Sequence, residues 1–201
     1  MLKNKTIRLA TENDSESVLK IYAPFITNTA VTFEYKVPTI AEFKERMANI
    51  LKIYPWLVCE IDNKIAGYAY ASRFGEREAY KWSVDFSVYI DPEHHGKHIG
   101  KALYFALSGI LRLQGFYNAY AAVSVPNIKS ERLHESFGFK AIGVYRNVGY
   151  KLGSWRDIKM YELKIQEHAQ SPAEPAPINE ISNTDEFKAI IKKAEQMIKT
   201  G

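Results

Sequence analysis

Two rhythms of apolar and polar positions divide this chain into elements. Runs rich in apolar and β-branched residues at 7–10, 56–61, 65–71, 84–90, 119–125, 139–146 and 155–165 read as strands. Asp62-Asn63-Lys64 turns the second of these into the third as a hairpin. Phe43, Met47, Ile50 and Leu51 recur at helical spacing, which predicts a helix over 39–53. Polar residues 11–14 can cap another helix reaching about position 22. A third helix is expected over 99–114 with Gly115 as its stop. A fourth opens at Pro126-Asn127, carries Leu133 and Phe137 on one side, and stops at Gly138. Strands alternating with helices predict a mixed α/β (α+β) fold.

The pattern changes after position 166. "SPAEPAP" reads as an extended, exposed linker over 167–182. Beyond it, Phe187, Ile190, Ile191, Ala194, Met197 and Ile198 share one face of an amphipathic helix over 183–201, with Asn183 or Thr184 as cap. The expected organisation is therefore one domain over 1–166, a linker and a C-terminal helix. That helix is expected to dock on its own domain or on a second subunit.

Composition narrows the choices. With 201 residues, 46% hydrophobic and 25% charged, the chain is that of an ordinary globular domain. A net charge of +4 suits an anionic small molecule and is too weak to argue for nucleic acid. Cys59 is the single cysteine, so no intrachain disulfide can form, and its apolar neighbours read as core. The first residues hold no apolar targeting segment, and no run approaches the length of a membrane span. The expected compartment is the cytoplasm, with no membrane partner.

The chemistry concentrates in "PEHHGKHIGKALYFAL", beginning at Pro92. The first amides of a helix lack internal partners, and the macrodipole adds positive charge there. Glycines let a ligand approach the main chain, so this strand-to-helix loop suits a pyrophosphate. Lys97 and Lys101 add charge. The spacing is neither a P-loop nor a dinucleotide fingerprint. His94 and His98 stand four apart, but Gly96 between them and the absence of a third ligand leave no metal expected.

Strand, loop and helix resemble the acetyl-CoA loop of the GNAT superfamily of N-acetyltransferases. "EREAYKWSVDFSVYIDPEHHGKHIGKALY", "VPNIKSERLHESFGF", "GYKLGSWRDIKMYEL" and "YPWLVCEIDNKIAGYAYASRF" bring the resemblance to the phosphinothricin and methionine sulfoximine acetyltransferase branch. It covers about residues 6–164, in several ordered motifs, and leaves the tail outside. His95 stands where the pattern has Arg or Gln, and His98 where it has glycine. The amides survive both changes; a positive φ at His98 would cost on the order of 1 kcal/mol.

The resemblance implies a mixed sheet flanked by helices, and transfer of acetyl from acetyl-CoA, as co-substrate, to a primary amine. His95, Gly96, Lys97, His98, Ile99, Gly100 and Lys101 would hold the diphosphate. Val88, Tyr89 and Ile90 would offer main-chain groups to the pantetheine arm, with the Val88 amide as oxyanion donor. Asn127 and Ser130 would complete the cofactor site, Asn127 also capping its helix.

Asp85 interrupts an apolar strand. By itself this reads equally as a buried base or as a carboxylate facing solvent or paired with arginine; the resemblance assigns it the base. His134 is either the donor to the leaving thiolate or a satisfied histidine. Phe33, Arg77 and Tyr80 match acceptor-pocket positions, and Arg77 suits an α-carboxylate. Read from charge alone, Arg77 is equally a surface partner of Glu76 or Glu78. The expected substrate is an amino-acid analogue and the expected assembly a homodimer. The alternatives are a polyamine or protein N-terminus as acceptor, or a non-catalytic acyl-CoA-binding protein.

Overall fold

The computed structural model describes residues 4–199. Seven strands form one mixed sheet in the order β1-β2-β3-β4-β5-β7-β6. They are β1 (Lys5–Leu9), β2 (Trp56–Ile61), β3 (Lys64–Arg73), β4 (Ser83–Ile90), β5 (Asn118–Val125), β6 (Lys140–Lys151) and β7 (Ser154–Lys164). Every neighbouring pair is antiparallel except β4 and β5.

Both faces of the sheet are covered, and β2 shows why its sequence reads as an unbroken apolar run. Leu57 and Cys59 pack toward α3 (Ile99–Gln114), whereas Trp56 and Val58 pack toward α1 (Ser15–Asn28) and α2 (Ile40–Leu51). Thr39 and Glu42 close a capping box on α2. Gly115, at φ +92°, stops α3 where the glycine predicted it. α4 (Ile128–Phe137) follows β5, with Asn127 Oδ1 accepting the Ser130 N–H at 3.2 Å. Cys59 is fully buried, and burial pushes its thiol up to about 12.

The expected elements are present, with differences in extent. α1 continues to Asn28, through Pro24, rather than ending near position 22. β6 runs on to Lys151, longer than expected, and a tight turn with Leu152 and Gly153 at positive φ joins it to β7. The segment expected as an exposed linker is pinned at 176–178. Gln114 donates its amide to Ile53 O and Ala176 O, each at 2.7 Å, and Ile178 is buried. Its apolar residue and main-chain groups found partners that a Pro/Ala composition does not reveal. α5 (Ile178–Ile181) and α6 (Asp185–Gln196) follow. Thr184 caps α6, which lies across α3 and β1. No helix among the described residues is long and apolar enough to cross a membrane.

Candidate active site

β4 and β5 pair over three residues only: Ser83 with Asn118, Val84 with Ala119, and Asp85 with Tyr120. Beyond Asp85 the strands part, while β5 stays paired with β7 on its other edge along its whole length. This parting creates the site.

The Asp91 N–H bonds to Ala66 O at 3.0 Å, beside the β3–β4 ladder. Antiparallel ladders alternate, so the amides of Tyr89, Ser87 and Asp85 turn toward β3. Those of Phe86, Val88 and Ile90 turn toward the edge that β5 has left. The Val88 amide therefore faces the opening, where an oxyanion donor is needed.

The opening leads into a groove of roughly 590 Å³. Val88, Tyr89, Ile90, His95, Gly96, His98, Ile99, Gly100, Lys101, Asn127 and Ser130 all line it. Lys97 does not. Its ammonium turns back to Glu93 O at 3.3 Å and His94 Nδ1 at 3.0 Å. The loop is built by Asp91, whose carboxylate accepts the Glu93 N–H at 3.0 Å and opens a short 3-10 turn at Pro92. The chain then passes through Gly96 at φ +81° and His98 at φ +61° before α3 begins. The Ala102 N–H makes an early helical bond, to His98 O at 3.0 Å. Helix geometry leaves the preceding amides free for a ligand.

The groove suits an acyl-CoA. Phe25, Val31 and Leu133 give it apolar walls for a pantetheine arm. Lys101, Lys129 and Arg132 supply cations for phosphates. Lys129 and Arg132 were not singled out in the sequence. Their signal was position: both lie in the first turns of the helix that Asn127 caps.

A smaller cavity of roughly 60 Å³ adjoins the groove at the strand parting and shares Val31, Val88, Tyr89, Asn127 and Ser130 with it. His134 and Tyr104 also line it. His134 is buried, and its Nδ1 lies 2.8 Å from Ser130 O. A carbonyl only accepts, so Nδ1 carries the proton and Nε2 accepts from the Tyr104 hydroxyl at 2.9 Å. Burial holds the imidazole below its usual value, against a weaker opposing pull from the Ser130 bond. His134 is thus neutral, with both nitrogens engaged. Tyr104, absent from the sequence reading, lies five residues into a helix whose other positions read as plain core.

Asp85 is the last residue of the parallel pairing. Val84 and Phe86 pack into the core under α3, so Asp85 faces the other side of the sheet. Its register partners there are Ser72 on β3 and Tyr120 on β5. Burial pushes the carboxyl up to about 7, and no cation pairs with it among the described residues. Asp85 is half-buried, and the arginine-paired reading finds no partner among the described residues. Tyr120 stacks on Phe74 at 4.3 Å, and Phe74 meets Tyr80 edge-on at 5.5 Å. An aromatic wall thus runs from exposed Tyr80 to the strand pair beside Asp85. Phe74 and Tyr120 complete it, although nothing in their local sequence marks them.

Arg77 caps the turn leading to Tyr80 and is exposed. Of the alternative ion-pair partners, Glu76 pairs instead with Arg73 at 3.3 Å. No ion pair involves Arg77 among the described residues. Phe33 belongs to the loop between α1 and α2 and presses its ring on Gly149 of β6, where a Cβ would sit 2.1 Å away. Lys151 Nζ donates to Thr32 O of the same loop at 2.6 Å, and Tyr35 bonds Tyr150 O. The structure therefore ties Phe33 to the β6–β7 hairpin.

A sequence model of the GNAT acetyltransferase domain matches residues 7–160. The phosphinothricin N-acetyltransferase of Streptomyces viridochromogenes is 35% identical over 88% of this chain and 94% of its own length. An L-methionine sulfoximine/L-methionine sulfone acetyltransferase of Salmonella typhimurium is 32% identical over 84% and 99%. Among solved structures, a phosphinothricin acetyltransferase of Sinorhizobium meliloti in complex with acetyl-CoA superposes with a TM-score of 0.81 at 33% identity, covering 88% of this chain and 96% of that one.

Proposed function

Because this chain belongs to the GNAT acetyltransferase family, we propose that it acetylates the α-amine of an amino-acid analogue of the phosphinothricin or methionine sulfoximine type. The enzyme is an acetyl-CoA-dependent acyltransferase. The observation that carries the finer reading is the Asp85 carboxyl, raised to about 7 by burial where β4 and β5 part.

An ammonium cannot attack a carbonyl, so a proton must leave the amine first. A carboxylate whose proton affinity sits near neutral pH takes it better than an exposed aspartate would. The amine nitrogen then bonds the thioester carbon, and the carbonyl oxygen takes up the negative charge. The Val88 N–H, turned into the opening, stabilises that charge. The carbon–sulfur bond breaks as the attacking nitrogen sheds its second proton to water, and CoA leaves as a thiolate that takes up a proton from solvent. We assign His134 to holding Tyr104 in place rather than to proton delivery, since neither nitrogen is free to turn. Arg77 binds the α-carboxylate through its guanidinium fork, and the wall of Tyr80, Phe74 and Tyr120 orients the side chain. The relatives named for phosphinothricin and methionine sulfoximine acetylation support this acceptor class.

The hairpin β6–β7 supports a second copy as partner. Ile142, Val144, Tyr145, Val148, Tyr150 and Trp155 are exposed there, and β6 is an edge strand, which two copies can share isologously. Sedimentation of the protein should give a dimer, and Trp155→Glu should shift it to monomer.

Thiol release from acetyl-CoA, measured over a panel of amines, tests the reaction. Phosphinothricin and methionine sulfoximine should turn over, and their decarboxylated counterparts should lose at least about a hundredfold in kcat/KM. Preference for a polyamine or an N-terminal peptide would overturn the acceptor assignment.

A further inference from the structure

The C-terminal segment lies outside the residues matched by the family, yet it returns to the diphosphate loop. α6 packs across α3 closely enough that a Cβ on Gly109 would stand 3.1 Å from Ile190. Phe187, Ala194 and Ile198 are buried beneath it. Glu195 Oε1 accepts the Ile7 N–H of β1 at 2.9 Å, and Lys5 Nζ donates to Ile198 O. The next residue, Lys199, donates its main-chain N–H to Lys97 O at 2.9 Å.

That bond acts on one particular peptide. Lys97 C=O and His98 N–H belong to the same planar trans unit and point in opposite directions. Fixing the carbonyl toward the tail fixes the His98 amide away from it. His98 lines the groove, whereas Lys97 does not. The same peptide leads into His98 at φ +61°, a conformation that a side chain makes costly and that free loops escape by rotating. A bond from outside the loop holds it there.

We propose that the Lys199 main-chain N–H is a positioning group for acetyl-CoA: through Lys97 O it aims the His98 amide at the diphosphate, so the C-terminal helix sets cofactor affinity. The proposal rests on the reading of residues 95–101 as the diphosphate loop. The Lys199 ammonium adds a second, separable effect. It lies near enough to help hold the His98 imidazole below its usual value, after desolvation and together with Lys101.

Two variants of the full chain separate the contributions. Lys199→Ala keeps the N–H and removes the charge; Lys199→Pro removes both. Calorimetry with CoA and steady-state kinetics should show Lys199→Pro binding roughly five- to tenfold more weakly than Lys199→Ala, the loss falling on KM for acetyl-CoA rather than on kcat. Equal affinities of the two variants would overturn the proposal. So would a fall in kcat and KM performance together with a lowered melting temperature, which would mark a general structural role. Should Lys199→Pro fail to fold, amide hydrogen exchange on the unaltered protein decides. Binding linkage is reciprocal, so CoA should slow exchange of the Lys199 amide severalfold, and unchanged exchange would sink the idea. If the unaltered protein does not bind CoA at all, the diphosphate reading itself has failed, a result distinct from either variant's.

Discussion

In the proposed active site two walls meet where β4 and β5 part, and they are made of different material. The cofactor wall is largely main chain: the amides at the start of α3, the Val88 and Ile90 amides on the vacated edge of β4, and the Asn127 cap. The acceptor wall is side chain throughout: the Asp85 carboxyl, the stack of Tyr120, Phe74 and Tyr80, and the Arg77 guanidinium. A wall of amides tolerates substitution, because every residue but proline carries one. His95 and His98 stand where the family pattern has other residues, and both still line the groove. A wall of side chains has no such reserve. Substitutions on the acceptor side should therefore cut deep, and those on the cofactor side should be shallow unless they move the backbone.

The deepest cut should come from Asp85. Asp85→Asn is isosteric and loses only the ability to take a proton, so kcat should fall by about three orders of magnitude. In the unaltered enzyme kcat/KM should rise with pH and level off above about 7, where the carboxyl is ionised; the variant's residual rate should lack this rise. Stability should move the other way. Asp85 has a folded-state pKa near 7 against an ordinary 3.8, so folding favours its protonated form. The stability this confers is fully present below 3.8 and is lost as pH rises through about 7. Asn escapes the cost of burying a charge, and at pH 8 the variant should melt several degrees higher than the parent. A variant that keeps full activity would remove Asp85 from the acceptor wall.

The two walls were also unequally legible in the sequence. The cofactor wall is contiguous: one loop, one strand and one capped helix hold nearly all of it, and short-range signals such as Gly96, Asp91-Pro92 and Asn127 mark its turns. Asp85 was legible because a carboxylate inside an apolar strand is an anomaly. Phe74 and Tyr120 were not, because each looks like any aromatic near a strand. Only the pairing of Asp85 with Tyr120 across the parallel junction brings them to the site. Tyr104 was hidden for a related reason, its helix being buried on nearly every side, so that one polar atom in the core leaves no trace in periodicity. The linker is largely exposed as expected, but its anchoring at 176–178 was hidden because its partners, Ile53 and Gln114, lie more than fifty residues away.

Next in size is Arg77. It is exposed and free of ion pairs among the described residues, so its removal should leave the fold intact. Arg77→Ala should raise KM for the amino-acid acceptor about tenfold or more, the usual loss for a charge-assisted pair, with KM for acetyl-CoA unchanged. Arg77→Lys should recover part of it, since lysine keeps the charge and loses the fork. An unchanged acceptor KM would move the carboxylate partner elsewhere and break the side-chain description of this wall.

His134 sharpens the contrast because it is a side chain set beside the main-chain wall. Its two bonds, to Ser130 O and from Tyr104, are structural in geometry. His134→Phe leaves the buried Tyr104 hydroxyl without its partner, while the Ser130 carbonyl keeps its helical bond, and should cost about 1–3 kcal/mol of stability, read by denaturant unfolding. At a temperature where the variant is folded, kcat should change less than about threefold. A hundredfold loss in a folded variant would instead make His134 the donor to the departing thiolate.

The smallest effect belongs to His98, and it tests the cofactor wall most directly. Its φ of +61° costs a side-chain-bearing residue about 1 kcal/mol, which glycine escapes. Glycine also gives up more backbone freedom on folding, and that offsets about half the gain or more. His98→Gly should therefore be stabilising by no more than about 0.5 kcal/mol, a degree or two in melting temperature for a chain of this size. Acetyl-CoA affinity should stay within about threefold of the parent, because the amide that faces the ligand is unaltered. If the loop binds through its main chain, deleting an entire imidazole beside the diphosphate changes almost nothing. A loss of tenfold or more would mean that the His98 ring itself contacts the cofactor, and the division between a wall of amides and a wall of side chains would fail at the residue where it is most exposed to test.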